Sequence, residues 1–188
     1  MFGRYLSHQE NNHAMIPTNW YIITGAPCSG KTTTTQRLEQ KGYAVRYEVT
    51  RRIIEDLIRS GQFRDERLLQ RKILEAKVRV EQQTPRDQIT FFDTTVACNL
   101  PYYEDAGLPP SDVRQADDLY RYRNVFFLEQ LAVQVPDAVR RETREEAFQK
   151  GQRILREYQR LGYDVVTVPV MTVEERVKLI MKQIQSQK

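Results

Sequence analysis

The stretch Gly25-Ala26-Pro27-Cys28-Ser29-Gly30-Lys31-Thr32 spells G-x-x-x-x-G-K-[ST], a spacing with one well-defined chemical use. Gly25 and Gly30 permit backbone turns that aim successive N–H groups at a single anion. Ala26, Pro27, Cys28 and Ser29 complete the backbone of that cradle. Lys31 is placed to reach the β- and γ-phosphates of a nucleoside triphosphate, and the Thr32 hydroxyl to ligate Mg2+. Thr33 follows within reach of the α-phosphate. A helix starting near Gly30 would add the positive end of its dipole.

Two carboxylates stand where such a site needs them. Asp93 closes the apolar run Ile89–Phe92, which places it at the C-terminal edge of a strand, where open α/β sheets bind ligands. It is a candidate Mg2+ acid alongside Thr32; the bland reading is a helix N-cap before Thr94 and Thr95. Glu48 ends another short apolar run and suits two roles: a group that takes the proton of a substrate hydroxyl, or a first-turn helix acid. Arg51 and Arg52 follow, and one of them can bind an anionic substrate group. Arg140, Arg141 and Arg144 lie in a polar, arginine-dense segment beginning at Pro136. It reads as a lid whose arginines neutralise phosphoryl charge, with Arg140 the favoured catalytic one and Arg141 and Arg144 on the nucleotide. Cys28 is a small filler of the loop. Tyr102 and Tyr103 suit either stacking on a substrate or core packing.

Positioning these residues requires a sheet. Trp20–Thr24, Tyr43–Tyr47, Ile89–Asp93, Asn124–Leu128 and Tyr163–Val168 are short runs rich in β-branched and aromatic residues. Several are apolar throughout, as strands covered on both faces are. Between them run segments of helical period: Leu69, Ile73, Ala76 and Val80; Ala147, Ile154, Tyr158 and Leu161; Val173, Val177, Ile180 and Ile184. Alternating strands and helices predict a three-layer α/β domain over residues 20–188, with parallel strands joined by right-handed crossovers. Residues 1–19 lack apolar periodicity, hold both histidines (His8 and His13), and read as a poorly ordered leader.

The 188 residues suffice for one full core, and 40% hydrophobic with 29% charged residues is an ordinary globular balance. The net charge of +4 is spread among interspersed acids and bases, so a nucleic-acid partner is not expected. No apolar run reaches the roughly 20 residues that span a bilayer. Two cysteines, one inside the anion cradle, fit a reducing, cytoplasmic setting. The oligomeric state is open, a homodimer included.

The chain resembles the small AAA-labelled P-loop family related to nucleoside and small-molecule kinases, which includes the ribosylnicotinamide kinase domain of the bacterial NAD-biosynthesis regulator. The resemblance rests on the GAPCSGKT loop, Glu48 followed by Arg51-Arg52-Ile53-Ile54-Glu55, and Phe91-Phe92-Asp93. It also rests on Arg140-Arg141-Glu142-Thr143 and Glu146-Ala147, then Leu161-Gly162-Tyr163-Asp164-Val165-Val166. It implies a five-stranded parallel sheet in order 2-3-1-4-5, a lid after the fourth strand, and an acid after the second strand that works on an acceptor hydroxyl. Relatives commonly carry arginine after the third-strand aspartate, where this chain has Thr94. The expected activity is Mg2+-dependent transfer of the ATP γ-phosphate to a hydroxyl of a nucleoside-like or other small metabolite. The alternative is an ATP- or GTP-hydrolysing switch that binds a protein partner.

Overall fold

A computed structural model describes residues 15–62, 65–132 and 143–186. Five strands form its central sheet: β1 (Trp20–Gly25), β2 (Ala44–Arg46), β3 (Thr90–Asp93), β4 (Asn124–Leu128) and β5 (Val165–Val168). They lie in the order β2-β3-β1-β4-β5 and every neighbouring pair is parallel, as the sequence pattern and the resemblance lead one to expect. All residues of β1, β3 and β4 are buried, which is why their sequences carry no polar alternation.

The two-residue period of the strands sorts their side chains onto two faces. Tyr21 and Ile23 of β1, Phe91 of β3, and Phe126 and Leu128 of β4 point to one side. There they meet Leu38 of α1 (Lys31–Gln40) and Val177, Ile180 and Ile184 of α7 (Val173–Gln185). Trp20, Ile22, Phe92 and Val125 point the other way, onto Ile154 and Tyr158 of α6 (Arg144–Arg160). A smaller cluster joins Ile54 and Leu57 of α2 (Thr50–Arg59) to Leu69 and Ile73 of α3 (Glu66–Gln82). The short helices α4 (Leu100–Asp105) and α5 (Pro110–Asp117) close over Leu74 and Val96.

Local chemistry sets where the helices start. In α6 the Thr143 hydroxyl accepts from Glu146 N at 3.2 Å while Glu146 Oε2 accepts from Thr143 N at 2.7 Å. Thr172 and Glu175 repeat this box at α7, at 3.3 and 2.9 Å. Asp65 Oδ1 caps α3 by accepting from Leu68 N at 3.0 Å. Each cap contributes about 1 kcal/mol to its helix.

One boundary differs from expectation. The leader was expected to extend to Asn19, yet Ile16–Pro17 pairs in parallel with Tyr120–Arg121, and Thr18 N donates to Arg121 O at 3.0 Å. A two-residue parallel pairing is too short to leave a periodic trace in sequence. Residues 1–14, with His8 and His13, lie outside the described residues.

Candidate functional site

The loop from Gly25 to Gly30 leaves β1 between β3 and β4, and its backbone is unusual at three points. Gly25 has φ of 140°, Cys28 of 61° and Gly30 of 85°. The two glycines are also required by packing. A Cβ on Gly25 would lie 2.4 Å from Leu128 O, and one on Gly30 would lie 2.8 Å from the Arg176 guanidinium. Arg176, fully buried on α7, donates through Nη1 to Ser29 O at 2.5 Å and so braces the outside of the loop. From the other side of the sheet Gly151 of α6 presses on Ala26, where a Cβ would come within 2.8 Å of the alanine Cβ. Two helices on opposite faces thus clamp one loop.

Lys31 and Thr32 open α1 immediately after the loop. Lys31 Nζ donates to Gly25 O at 3.2 Å and to Ala26 O at 2.9 Å, which holds its ammonium over the cradle. Thr32 Oγ1 donates to Asp93 Oδ2 at 2.7 Å. This contact unites two residues 61 apart in sequence. It follows from the parallel register that sets Asp93 beside Ile23, two residues before the loop begins. Asp93 is buried, and its Oδ1 has no partner among the described residues. Burial pushes its carboxyl upward, the Lys31 charge pulls it back, and the Glu48 charge pushes it up again. Thr32 and Asp93 are hard oxygen donors with one buried acceptor to spare, a set that suits Mg2+ completed by phosphate and water oxygens. No trio of His, Cys, Asp or Glu converges among the described residues, and a Mg2+ site of this kind does not need one.

From Asp93 a shallow, open cleft extends toward the exit of β2. Glu48, Tyr47 and Arg46 line it on that side, Lys77 and Glu81 of α3 on another, and Asp93 and Thr94 form its end. Glu48 is exposed and its charge acts on Asp93, so the two acids anticipated from sequence line the same cleft. Thr94 carries a φ of 73°, rare for a β-branched residue, and its buried hydroxyl has no partner among the described residues. Arg51 and Arg52, expected at the substrate, sit exposed on the first turn of α2 and do not line the cleft. Thr33 is exposed on the first turn of α1. Arg144 heads α6 and is exposed, its carbonyl accepting from Gln130 Nε2 at 3.2 Å. Arg140 and Arg141 lie outside the described residues. Tyr103 is core, packed with Leu74 and Val96, while the Tyr102 ring lies under Lys150 Nζ at 4.5 Å.

Several residues escaped the sequence reading. Lys77 and Glu81 occupy the inner face of α3, four and eight residues after Ile73, where the apolar stripe predicts hydrophobic side chains. The detectable signal was a charged pair at core-facing positions. Glu81 Oε1 accepts from Tyr122 OH at 2.9 Å and from Val96 N at 3.3 Å. The same phenol stands 2.9 Å from Asp117 Oδ1. Burial, reinforced by Asp117, pushes the Glu81 carboxyl up to about 8; burial likewise pushes Asp117 up to about 7. Behind the strand ends, Cys98 Sγ lies 3.3 Å from both Thr24 Oγ1 and Tyr158 OH, and Tyr158 OH reaches Thr95 Oγ1 at 2.5 Å. Cys98 is therefore a structural link, and no disulfide joins it to Cys28.

Solved structures share this architecture. Deoxyadenosine kinase from M. mycoides, with dCMP and dCDP bound, superposes with a TM-score of 0.59 at 18% identity over 90% of this chain and 100% of that one. NadR protein in complex with NR gives 0.67 at 18% identity over 93% of this chain, which spans only 52% of NadR. Thymidylate kinase from Candida albicans gives 0.56 at 14% identity, covering 89% and 91% of the two chains. At these identities the likeness establishes the shared fold alone. Comparison with curated proteins finds no match. None of the described helices is long and apolar enough to cross a membrane. The model of the family described as AAA domain matches residues 20–176, from β1 to the first turn of α7, and the chain belongs to that family.

Proposed function

We propose that this protein is a Mg2+-dependent phosphotransferase that moves the γ-phosphate of ATP to a hydroxyl of a nucleoside-like or other small metabolite. One observation carries the reading: the cleft lined by Glu48 reaches Asp93, the carboxylate that Thr32 bonds at the mouth of the phosphate cradle. On this reading donor and acceptor spaces meet at one carboxylate.

In this site the loop amides and Lys31 bind the triphosphate and orient its terminal group. A Mg2+ ion held by Thr32 and Asp93 would offset negative charge on the transferring group. The acceptor hydroxyl, seated in the cleft, forms the new oxygen–phosphorus bond while the bridge between β- and γ-phosphates breaks and ADP leaves. Glu48, exposed in the cleft, takes the hydroxyl proton. Arg140, Arg141 and Arg144 are the arginines proposed to close on the phosphates, and Arg51 or Arg52 to approach the acceptor's charged groups.

Incubation with Mg-ATP and a panel of nucleosides should give ADP release that at least one acceptor stimulates. Lys31→Ala should lower that rate by about 100-fold or more, since it deletes a charge aimed at the developing phosphoryl charge. ADP release that no acceptor stimulates would overturn the transferase reading in favour of simple hydrolysis.

A further inference from the structure

Lys77 is a buried charge that the mechanism above does not use. Its side chain is 93% buried by accessible area, with a relative exposure of 7%, yet it lines the cleft. An ammonium has three donors, and Nζ makes one hydrogen bond, to the neutral amide oxygen of Asn99 at 3.3 Å. Asn99 is itself pinned, donating to Gln70 O at 3.3 Å, so the contact restrains the ammonium. No carboxylate among the described residues comes within ion-pair distance of Nζ.

The two acids that feel its charge are otherwise committed. Asp93 serves Thr32 and lies under the charge of Lys31. Glu81 shares the single hydrogen of the Tyr122 phenol with Asp117, both contacts being 2.9 Å. One hydrogen cannot fill two such contacts, so the Glu81–Tyr122–Asp117 trio retains at least one further proton and does not supply a full countercharge. A buried cation with unused donors is costly to maintain, and it stands in the wall of the cavity proposed for the acceptor.

We propose that Lys77 reads the acceptor, taking an electronegative oxygen, carboxylate or carbonyl, that the molecule carries besides the hydroxyl that is phosphorylated. The inference rests on the phosphotransferase reading and narrows its substrate class to hydroxyl compounds bearing such an oxygen. Purely hydrocarbon-ended or unsubstituted sugars leave the ammonium unmatched and are poor acceptors. Lys77 is assigned to binding of the acceptor, so its loss acts on KM more than on kcat.

The test compares the full chain and Lys77→Met on three ribosides with Mg-ATP, following ADP release: nicotinic acid riboside for a carboxylate, uridine for a carbonyl, and adenosine for neither. Riboside binding is read in parallel by calorimetry without ATP. Expected is a KM raised about tenfold or more for an oxygen-bearing riboside, with kcat within about threefold, unchanged adenosine behaviour, and unchanged affinity for a fluorescent ATP analogue. Lys77→Gln, which keeps a donor and loses the charge, separates the sources. It weakens only the carboxylate riboside if the contact is ionic and spares uridine if a carbonyl is the partner; it also replaces the methionine variant should that one misfold. Equal riboside binding and turnover in wild type and variants overturns the assignment of Lys77 and leaves the transferase reading standing. A wild type that binds none of the three and hydrolyses ATP regardless of them overturns both.

Discussion

At the scale of single residues the site contains strain that its neighbours hold in place. Thr94 adopts φ of 73° directly after Asp93, although a β-branched side chain disfavours that region by about 1–2 kcal/mol. Its N–H reaches Ile23 O at 3.4 Å, a long contact that offsets little of this. Thr94→Gly removes the clash, while glycine's greater freedom in the unfolded chain returns about 0.5–1 kcal/mol of the gain. The net expectation is a chain more stable by about 0.5–1 kcal/mol, seen as a melting temperature higher by about 2 °C. A melting temperature that falls instead would mean that the Thr94 side chain supports the fold, and the strain argument would be wrong.

At the scale of elements, what positions the loop is less visible in sequence than the loop itself. The runs Trp20–Thr24 and Ile89–Asp93 announce buried parallel strands, and the strand-end place of Asp93 follows from them. The contact with Thr32 then needs only the register. Thr143 and Thr172 each stand three residues before a glutamate, so the starts of α6 and α7 are legible too. Gly151 is not: within a helix it reads as a mere weakness of about 1 kcal/mol against alanine. Only the approach of α6 to Ala26 gives it a purpose, and that distance is a property of the packed layers. Arg176 is hidden the same way, as one more charged residue on a terminal helix until its guanidinium is found under Ser29. Gly151→Ala therefore sets two effects against each other. Helix propensity favours alanine, whereas the new methyl would stand 2.8 Å from the Ala26 Cβ and 3.1 Å from its backbone nitrogen. Because backbone is on the other side, the loop must move, and we expect affinity for a fluorescent ATP analogue to fall about tenfold, about 1.4 kcal/mol. Unchanged affinity with a raised melting temperature would show that the loop tolerates the displacement and that α6 does not set its shape.

At the scale of the whole molecule, the cleft is backed by buried acids that make folding sensitive to pH. Glu81 faces Lys77, Tyr122 and the Val96 N–H, and Asp117 raises its carboxyl further; Asp117 faces Tyr122 and the Ala97 N–H, with Asp118 and Glu157 raising it in turn. In the folded chain these carboxyls sit at about 8 and about 7, above the ordinary values of 4.5 and 3.8. The native state thus holds protons that the unfolded chain has already released, and stability falls as pH rises. Their contribution is complete below about pH 4 and is lost progressively as pH climbs through 7 and 8. The slope is at most about 1.4 kcal/mol per pH unit for each group. Lowered carboxyls such as Glu146 and Glu175 act in the opposite sense, but only near and below pH 4.5, so they do not mask the effect. Denaturant unfolding between pH 6 and 8.5 should therefore show decreasing stability. Glu81→Gln, whose amide oxygen can still accept from Tyr122 and Val96, should flatten the curve and cross above the wild type at the alkaline end. A wild-type stability that rises over this range, or a variant with the same slope, would show that the trio around Tyr122 does not retain its extra proton, and Glu81 would then stand as a full countercharge to Lys77 at the acceptor wall.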